Sequence, residues 1–567
     1  MFPKIRRRKT FKKNKKNLDP EQAFIDAKNL PDFDTNKFEG VLEKPLNLIS
    51  FYIVIGLSFL IFLIFIFFSL NLQVLQSDIY QKKSANNHLK KAVLFSNRGV
   101  IFDRNNIPLA WNENDGKMEF SIRKYINLPG FSHILGFLSY PQKDKFNKYF
   151  EKEYQGKAGI EKYFNKKLNG ELGYRLINMN VHGKIISENI EKNPKAGSNL
   201  TLTIDSKMQE KLQQALNDYI QEKRFKGGAG IIINIKNGEI LAMTSLPEYD
   251  SNILTAGKNK EKISEYNKNK NHPFLNRAVY GEFVPGSVMK PFVALAGLQE
   301  KIITPYQKIY TNGKMYLPNP WNPKKPSIFY DWKNHGTIDL FSAIANSSNI
   351  YFYKVGGGYK KMKGLGIDRI YKYLTTFGFG KKTNIEGFPE LLGNIPNKNW
   401  KEKIFKQPWS IGNTYFTAIG QYGTLVTPIQ LATAVSLIAN DGTIIKPKII
   451  LNKNKSPKEN TRKLKIIDKK NYAILRKAMR ATVTRGTTQS LNLPFVKIAS
   501  KSGTAQIKGK TRENSWVVGF WPYKNPKYAF VFLAENGPKT TRTGVSRAAS
   551  EFFKKINNTN SLKKYLK

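Results

Sequence analysis

The sequence predicts an α+β protein held by a single membrane-spanning helix, and three observations support this. Residues 48 to 70 form an uncharged apolar run of 23 residues, about the length that crosses a bilayer. Short runs rich in β-branched and aromatic residues occur early in the long segment that follows and again near its end. Between them lie apolar stretches with helical periodicity. An antiparallel sheet made from both ends of this segment, with a helical middle, fits that order.

The membrane run, LISFYIVIGLSFLIFLIFIFFSL, lies too far from the N-terminus for a cleaved signal peptide, and no small-residue cleavage site follows it. The alternative is a buried core helix. Nine cations among residues 2 to 16 favour a cytoplasmic N-terminus, although the lysines nearest the two ends of the run balance. No later run approaches a second span, so the segment beyond residue 70 is expected outside the cytoplasm.

Charge and cysteine content limit the possible functions. The formal net charge is +51, but the lysines are spread through every region and interleaved with asparagine, which argues against a nucleic-acid partner. A basic exterior favours anionic lipid or anionic wall polymers through a salt-screened attraction. The chain has no cysteine, which excludes disulfides and thiol catalysis.

Local patterns predict individual elements. Asp103-Arg104-Asn105-Asn106 and Lys236-Asn237-Gly238 are typical hairpin turns. The run 200 to 205, LTLTID, predicts a short strand, and Ser206 is placed to cap the helix that follows. WVVGFWPY and KYAFVFLAE predict two late strands, with a last helix near 544 to 555. Two Lys- and Asn-rich pieces are expected to be solvated loops: 257 to 271 and 452 to 463.

The stretch 281 to 300, GEFVPGSVMKPFVALAGLQE, carries the first candidate for chemistry. Pro285 and Gly286 break the chain just before an apolar helical run, so Ser287 falls in the first turn. Lys290 follows three residues later on the same face, where its amine can reach the serine hydroxyl. The plain alternative is a serine that caps the helix and a lysine that extends along the surface.

Two further motifs matter because of their order. Ser347-Ser348-Asn349 separates two apolar helical runs, and Lys501-Ser502-Gly503-Thr504 lies on a late β run. Each has a bland interpretation, since S-x-N recurs elsewhere and K-S-G can be a turn. S-x-x-K, S-x-N and K-S-G in this order form the set of the penicillin-recognising serine acyltransferases.

The sequence around these motifs resembles class B penicillin-binding proteins, and these flanking stretches carry far more of the resemblance than the three motifs do. LNRAVYGEFVPGSVMKP, GTIDLFSAIANSSNIYFY, LVTPIQLATAVSLIANDG and IASKSGTAQ all look like stretches of that family. SNRGVIFDRNNIPLA and KAGIEKYF resemble its membrane-proximal pedestal. DWKNHGTIDL and NKNWKEKIFKQPW are most similar to penicillin-binding protein 2, the elongation-type transpeptidase. The resemblance covers nearly all of residues 46 to 550.

The resemblance implies a β-rich pedestal and a penicillin-binding, serine β-lactamase-like transpeptidase domain, with helices on both sides of an antiparallel sheet. The boundaries we expect are 1–47 for the basic cytoplasmic tail, 48–70 for the membrane helix, 71–205 for the pedestal and 206–567 for the transpeptidase domain. Between Ala110 and the run at 133 only about twenty residues stand where relatives usually carry a head subdomain, so activating contacts through the head are in doubt.

The resemblance also implies roles for the motif residues. Ser287 would be the nucleophile and Lys290 its base, because a neighbouring cation and burial lower the pKa of an amine. Lys501 would add the second positive charge, Ser347 would relay a proton to the leaving amine, and Asn349 would hold the substrate amide. The backbone N–H groups of Ser287 and Thr504 would form the oxyanion hole. Ser502, Gly503 and Thr504 would bind the substrate, the two hydroxyls taking its carboxylate.

The implied reaction cross-links peptidoglycan stem peptides through an acyl-serine during cell elongation, needs no cofactor, and is blocked by β-lactams. The implied location is the bacterial inner membrane, single-pass. No glycan-polymerising module is evident in the chain, so the family implies a partner, a multi-span membrane glycosyltransferase of the shape, elongation, division and sporulation type. We expect it to dock against residues 48 to 70 and those just outside, around Leu72 to Ala110.

Several alternatives stay open at the level of sequence. The chain could be a division-type transpeptidase, a β-lactam hydrolase or sensor, or a non-catalytic scaffold for a membrane polymerase. A hydrolase needs an added deacylation base, and none is evident near the motifs. Asp331 and His335 could be zinc ligands, but two ligands without cysteine make a poor site, and a loop hydrogen bond is the plainer expectation. Tyr422 stands where relatives commonly have glycine.

Overall fold

The computed structural model describes residues 48–80, 89–116, 118–179, 184–319, 322, 324–452, 461–507, 511–539 and 544–567. Contacts divide the chain into a unit that ends at Leu89 and a unit that begins at Lys90. The boundaries predicted at 47/48, 70/71 and 205/206 remain predictions, and the basic tail lies outside the described residues.

In the first unit, the predicted membrane segment is a single helix, Leu48–Leu70. The helix is followed by five residues of π-helix, Asn71–Leu75. Its aliphatic and aromatic side chains are exposed in the structure, which suits a helix whose solvent is lipid. Within the described part of the chain, this is the one helix long and apolar enough to cross a membrane.

The second unit begins with a β-rich region, as predicted for a pedestal. One sheet has the strand order Leu89–Leu94, Gly173–Met179, Ile185–Lys192. A second has the order Leu200–Thr201, Ile101–Phe102, Pro108–Glu113, Ile122–Tyr125. Smaller elements complete this region: strands Leu138–Ser139, Gln142–Lys143, Tyr149–Glu151 and Gln155–Gly156, and helices Ser132–Leu135, Gly159–Tyr163 and Asn165–Asn169.

The first predicted hairpin turn forms, and Asp103 in it corrects one of our expectations. Strands Ile101–Phe102 and Pro108–Glu113 pair antiparallel around the turn. The following helix, Ser206–Glu222, is capped by Asp205, whose side chain accepts from Met208 N, so the prediction that Ser206 caps it is wrong. Ser206 Oγ instead donates to Asp103 Oδ2 at 2.8 Å. The hydroxyl that sequence predicted to cap the helix, that of Ser206, therefore bonds to a residue about a hundred positions earlier in the chain.

A five-stranded antiparallel sheet forms the centre of the second domain and confirms the sheet predicted from both ends of the segment. Its spatial order is Ile240–Leu246, Gly227–Asn234, Tyr528–Pro538, Arg512–Trp521, Ala499–Ile507. The second predicted hairpin joins the first two of these strands, with Gly238 at φ +77°. Tyr528–Pro538 pairs along its length with Gly227–Asn234. The strand Ala499–Ile507, which carries K-S-G, has one paired neighbour and lies at the sheet edge.

Helices cover both faces of this sheet, as the fold class requires. On one face pack the helices Ser206–Glu222 and Ser546–Asn558, the latter being the predicted last helix. On the other face packs Pro428–Ala439, which is buried along its whole length. The buried apolar side chains form one large cluster that includes the helical middle and a second one between the sheet and the terminal helices.

The helical middle is built from short helices. Their bounds are Ser251–Ala256, Lys260–Lys268, Arg277–Tyr280, Lys290–Gln299, Leu340–Ala345, Asn349–Gly357, Ile367–Thr376, Lys398–Phe405, Ile411–Ala418, Pro428–Ala439 and Lys469–Arg485. Three strand pairs accompany them: Ile309–Thr311 with Gly336–Ile338, Lys314–Leu317 with Ser327–Tyr330, and Thr443–Ile445 with Thr461–Lys463. The helix at 260 corrects the loop expected over 257 to 271, and Thr461–Lys463 is a strand rather than the expected loop. Residues 453–460 lie outside the described residues.

Candidate active site

Ser287 lies in a tight turn at the head of a buried helix. The turn is a 3₁₀-helix, Gly286–Met289, and the helix Lys290–Gln299 continues from it. Side chains at i and i+3 of a 3₁₀ turn stand nearly one above the other, which places Ser287 and Lys290 on one face. Ser287 caps neither helix. Within the part of the chain that the structure describes, its hydroxyl makes no hydrogen bond, so it is available to a substrate.

Two glycines allow the K-S-G strand to approach this turn. Gly286 has φ +59°, and a Cβ there would lie 2.8 Å from Thr504 O. A Cβ on Gly503 would lie 2.8 Å from Val288 Cγ1 and 2.9 Å from Pro285 O. Both are closer than side chains tolerate, so only glycine fits at these positions. The turn of Ser287 therefore packs closely against the strand of Thr504. The oxyanion hole expected from their backbone N–H groups stays a prediction.

The S-x-N motif forms a sharp turn between two helices, as predicted. Leu340–Ala345 ends just before it, and Asn349–Gly357 begins at its last residue. Ser347 has φ +58°, a left-handed conformation that costs free energy for a residue with a side chain. Ser348 caps the second helix by accepting from Tyr351 N. The strained turn directs the Ser347 hydroxyl to the two motif lysines.

Lys290 is completely buried and held by the S-x-N turn. Its Nζ donates to Ser347 O at 2.7 Å and to Asn349 Oδ1 at 2.7 Å, and lies 3.3 Å from Ser347 Oγ. Burial lowers the pKa of Lys290 to about 7, while the charge of Asp331 opposes this shift. A large fraction of Lys290 is therefore the free amine at neutral pH, as a base must be.

Lys501 approaches the same hydroxyl from the sheet edge. It is completely buried, and its Nζ donates to Ser347 Oγ at 2.9 Å and to Ser502 O at 2.7 Å. Burial first, and then the positive charge of Lys290, lower the pKa of Lys501 well below its usual value. Ser347 Oγ thus lies between two amines contributed by different elements.

Asp331, which sequence considered together with His335 as a metal ligand or a loop residue, holds the S-x-N turn by hydrogen bonds. Asp331 Oδ2 accepts from Ser348 Oγ at 2.7 Å and from Ile350 N at 3.0 Å. His335 Nε2 lies 3.5 Å from Asp331 Oδ1, and burial lowers the pKa of His335. Among the described residues no group of three or more His, Cys, Asp and Glu side chains is arranged for a metal. The Asp331 carboxylate acts here as a hydrogen-bond acceptor.

On the substrate side of the K-S-G strand, Ser502 is half-buried and Thr504 is exposed. Thr487 lies against Ser502, with 2.6 Å between the two hydroxyl oxygens. Sequence reasoning missed Thr487, because Gly-Thr-Thr after a helix is an ordinary loop pattern. Its proximity to Ser502 arises only when the helix Lys469–Arg485 packs beside the edge strand.

Tyr422, the departure noted in the sequence, takes a glycine-like conformation. Its φ is +57°, and its ring packs edge-on against Trp400 and Trp409 and stacks on Phe405. These aromatic contacts stabilise a backbone conformation that favours glycine.

This fold and the arrangement of the three motifs are those of a transpeptidase of the penicillin-recognising class. Residues 228–558 match the family described as penicillin binding protein transpeptidase domain, and residues 118–202 match the penicillin-binding protein dimerisation domain. The chain belongs to the penicillin-binding protein transpeptidase family. The predicted resemblance to class B penicillin-binding proteins is confirmed.

The curated relatives point to one branch of the family. The chain is 31% identical over 467 residues to the peptidoglycan D,D-transpeptidase MrdA of Haemophilus influenzae, which covers 76% of this chain and 69% of that protein. It is 27% identical over 574 residues to MrdA of Escherichia coli K12, covering 82% of this chain and 88% of that protein.

Solved structures agree with this branch. Pseudomonas aeruginosa PBP2 in complex with WCK 5153 has 30% sequence identity and a TM-score of 0.69, and covers 82% of this chain and 96% of that one. Helicobacter pylori PBP2, solved in complex with MreC, has 27% identity and a TM-score of 0.68, and covers 83% and 99%. The likeness to penicillin-binding protein 2 predicted from sequence is confirmed.

Proposed function

We propose that this chain is an elongation-type peptidoglycan D,D-transpeptidase that works through an acyl-Ser287 intermediate. The observation that carries the proposal is the buried pair of amines that meets at Ser347 Oγ, next to the turn that carries the partly exposed Ser287. A scaffold without catalysis has no need of two completely buried lysines that share one hydroxyl, because removing a charged side chain from water costs on the order of several kcal/mol.

In the first step Lys290 removes the proton of Ser287, and Ser287 Oγ attacks the carbonyl carbon of the penultimate D-alanine. A neutral amine has two N–H donors and one lone pair. The contacts of Lys290 to Ser347 O and Asn349 Oδ1 use the two donors, and the lone pair remains to exchange a proton with the hydroxyl of Ser287 or with that of Ser347, 3.3 Å away. The backbone N–H groups of Ser287 and Thr504 stabilise the negative oxygen of the tetrahedral intermediate.

The intermediate then collapses. The bond to the last D-alanine breaks, and its nitrogen takes a proton from Ser347, which recovers one from Lys290. Lys501 donates to Ser347 Oγ at 2.9 Å and so keeps the proton of Ser347 pointed away from itself. In the second half, the amine of a neighbouring stem peptide attacks the acyl-enzyme and releases Ser287, with the same groups moving the protons in reverse.

The substrate's terminal carboxylate is held by the hydroxyls of Ser502 and Thr504, and Gly503 keeps the strand close to the nucleophile. Lys501 adds attraction in its protonated form, which a bound carboxylate favours. A β-lactam would acylate Ser287 by the same route. We further propose that the basic tail is cytoplasmic and that the catalytic domain lies outside the inner membrane of a bacterium.

The proposed partner is a multi-span glycosyltransferase of the shape, elongation, division and sporulation type, docking at 48 to 70 and at the residues that follow. The Helicobacter pylori relative was solved with MreC, and a comparable partner for this chain is part of the proposal. The function is tested first with Ser287→Ala. We expect the full-length variant to fold and to lose covalent penicillin labelling, and an adduct in its intact mass would contradict the acyl-Ser287 mechanism.

A further inference from the structure

Two adjacent threonines form hydrogen bonds with two alternate serines of the K-S-G strand, and the two pairs differ in their burial. Thr488 Oγ1 and Ser500 Oγ are 2.7 Å apart and completely buried. Thr487 Oγ1 and Ser502 Oγ are 2.6 Å apart on the exposed side. The first pair joins the helix end to the strand. The second pair lies where the substrate's carboxylate is expected.

The position of Thr487 is fixed by its backbone. Thr487 N donates to Ala345 O at 3.1 Å, at the end of the helix that leads into Ser347. A Cβ on the preceding Gly486 would lie 2.2 Å from the same carbonyl, so the turn fits only with glycine there. Thr487 therefore connects the S-x-N side of the cleft with the K-S-G side, and its hydroxyl has little freedom to leave Ser502.

The direction of the hydrogen bond decides its effect. Each hydroxyl has one proton to donate and two lone pairs. If Ser502 donates to Thr487, the Ser502 proton is already used and cannot be donated to an incoming anion. If Thr487 donates to Ser502, the Ser502 proton is free for the anion, and a hydroxyl that accepts one hydrogen bond becomes a better donor of the next. An anion bound at Ser502 therefore selects the second arrangement.

We propose that Thr487 is a positioning residue for the substrate's terminal carboxylate, acting through the hydroxyl of Ser502. Successive side chains along a strand alternate between its two faces, so Ser502 and Thr504 point the same way and Thr487 completes a group of three hydroxyls. These three hydroxyls favour the binding of a substrate that ends in a free carboxylate. The inference rests on the proposed function and assigns it a residue outside the three motifs.

The test compares two thioester substrates with the full-length protein in detergent. Both are thioesters of an acylated D-alanine that acylate Ser287 and release a thiol. One has mercaptoacetate as the leaving group. Its carboxylate corresponds to the terminal carboxylate of the D-alanine that leaves in the proposed reaction. The other has the methyl ester of mercaptoacetate, which is neutral. Release of the thiol gives kcat/KM for each.

We expect Thr487→Val to lower kcat/KM about 10-fold for the carboxylate thioester, the effect of one lost hydrogen bond, and to leave the neutral thioester unchanged. Thr487→Ser, which keeps the hydroxyl, should restore the wild-type values. Thr484→Val is the matched control, because Thr484 is exposed on the helix just before Thr487 and its hydroxyl donates only to backbone carbonyls of that helix. It should change neither value.

An equal loss on both thioesters would assign Thr487 a merely structural role and overturn the proposal. A Thr487→Val variant that keeps the wild-type kcat/KM for the carboxylate thioester would overturn it as well. Failure of the proposed function looks different, because the wild-type protein would then release thiol from neither substrate, and the inference would fall with it.

Discussion

Lys290 Nζ donates a hydrogen bond of 2.7 Å to Asn349 Oδ1, which joins the S-x-x-K helix to the S-x-N helix. Lys290 is completely buried, and the space around its amine is shaped by this contact and by Ser347 O at 2.7 Å. The amine therefore has a fixed position and a lowered pKa together, which are the two properties that a proton acceptor for Ser287 needs.

Lys290→Arg should abolish acylation by penicillin, although it conserves the charge. A guanidinium stays protonated throughout the accessible pH range and cannot take a proton from Ser287. Intact-mass measurement of the penicillin adduct over time checks this prediction, and near-normal acylation of the variant would remove Lys290 from the mechanism.

The acylation rate of the wild-type protein should rise with pH through a midpoint near 7. Burial lowers the pKa of Lys290 to about 7, so protonation below that pH removes the free amine that acts as base. The charged groups facing it are Lys501, Asp331 and His335. The second-order rate constant for penicillin acylation, measured across this range, gives the midpoint, and a rate independent of pH would contradict Lys290 as the base.

Asp331→Asn should move this midpoint to lower pH. The negative charge of Asp331 raises the pKa of Lys290, and removal of that charge leaves burial to lower the pKa further. Asparagine retains an oxygen that can accept from Ser348 Oγ and Ile350 N, so the turn is expected to keep its shape. A pH profile of acylation for the variant measures the shift.

Asp368→Asn serves as the control for this experiment. Asp368 is an exposed carboxylate paired with Lys398 at the surface, and its removal should leave the midpoint where the wild-type protein has it. If Asp331→Asn lowers the acylation rate by the same factor at every pH and leaves the midpoint unchanged, Asp331 only maintains the shape of the S-x-N turn. Its charge then does not change the pKa of Lys290.

The part of the site that sequence predicted consists of residues recognisable by type and spacing. Hydrogen bonds join Lys290, Ser347, Asn349 and Lys501 in the structure, and Ser287 lies in the turn just before Lys290. Each motif lies at a helix start or on a strand, and such positions can be predicted from local pattern. Their chemical roles remain proposals. The turns at 103 to 106 and 236 to 238 were predictable for the same reason, since glycine and asparagine preferences are local.

What sequence could not predict depends on contacts between distant segments. Ser206 has the residue type of a helix cap, yet its hydroxyl bonds to Asp103, because Asp205 already caps the helix. Thr487 reaches Ser502 only through the packing of a helix against the edge strand. Asp331 bonds to Ser348 although the strand Gly336–Ile338 and the helix Leu340–Ala345 lie between them in the chain. Nothing in the spacing of these pairs along the chain distinguishes them from loop residues.

The pedestal contains a buried charged triad whose disruption should destabilise the protein. Glu161 is completely buried between two arginines, with 2.6 Å from Oε2 to Arg98 Nε and 2.8 Å from Oε1 to Arg123 Nε. Glu161→Gln leaves two buried guanidinium groups without a counter-charge, which should lower the free energy of unfolding by about 3 to 5 kcal/mol. Thermal and urea unfolding of the variant measure the loss.

Glu188→Gln is the matched control for the triad. Glu188 pairs with Arg175 at 2.9 Å, but both side chains are about two-fifths exposed, and exposed pairs contribute about 1 kcal/mol or less. A Glu161→Gln variant that unfolds at the same urea concentration as Glu188→Gln would show that the triad does not stabilise the pedestal.

Replacing 48 to 70 with an unrelated hydrophobic span should keep penicillin labelling and lose co-purification with the polymerase. In the proposed function the glycan strand comes from a glycosyltransferase partner in the membrane. Aromatic and β-branched side chains line the helix on all sides, more than anchoring needs, and in lipid such side chains contribute to helix association through packing. With few residues in place of a head subdomain, the contact is expected to depend on this helix and the segment just outside it.

Affinity purification of the swapped protein from membranes, with penicillin labelling as the control for its fold, tests the docking. If the partner is recovered at the wild-type yield, the interaction belongs to the pedestal or the catalytic domain instead.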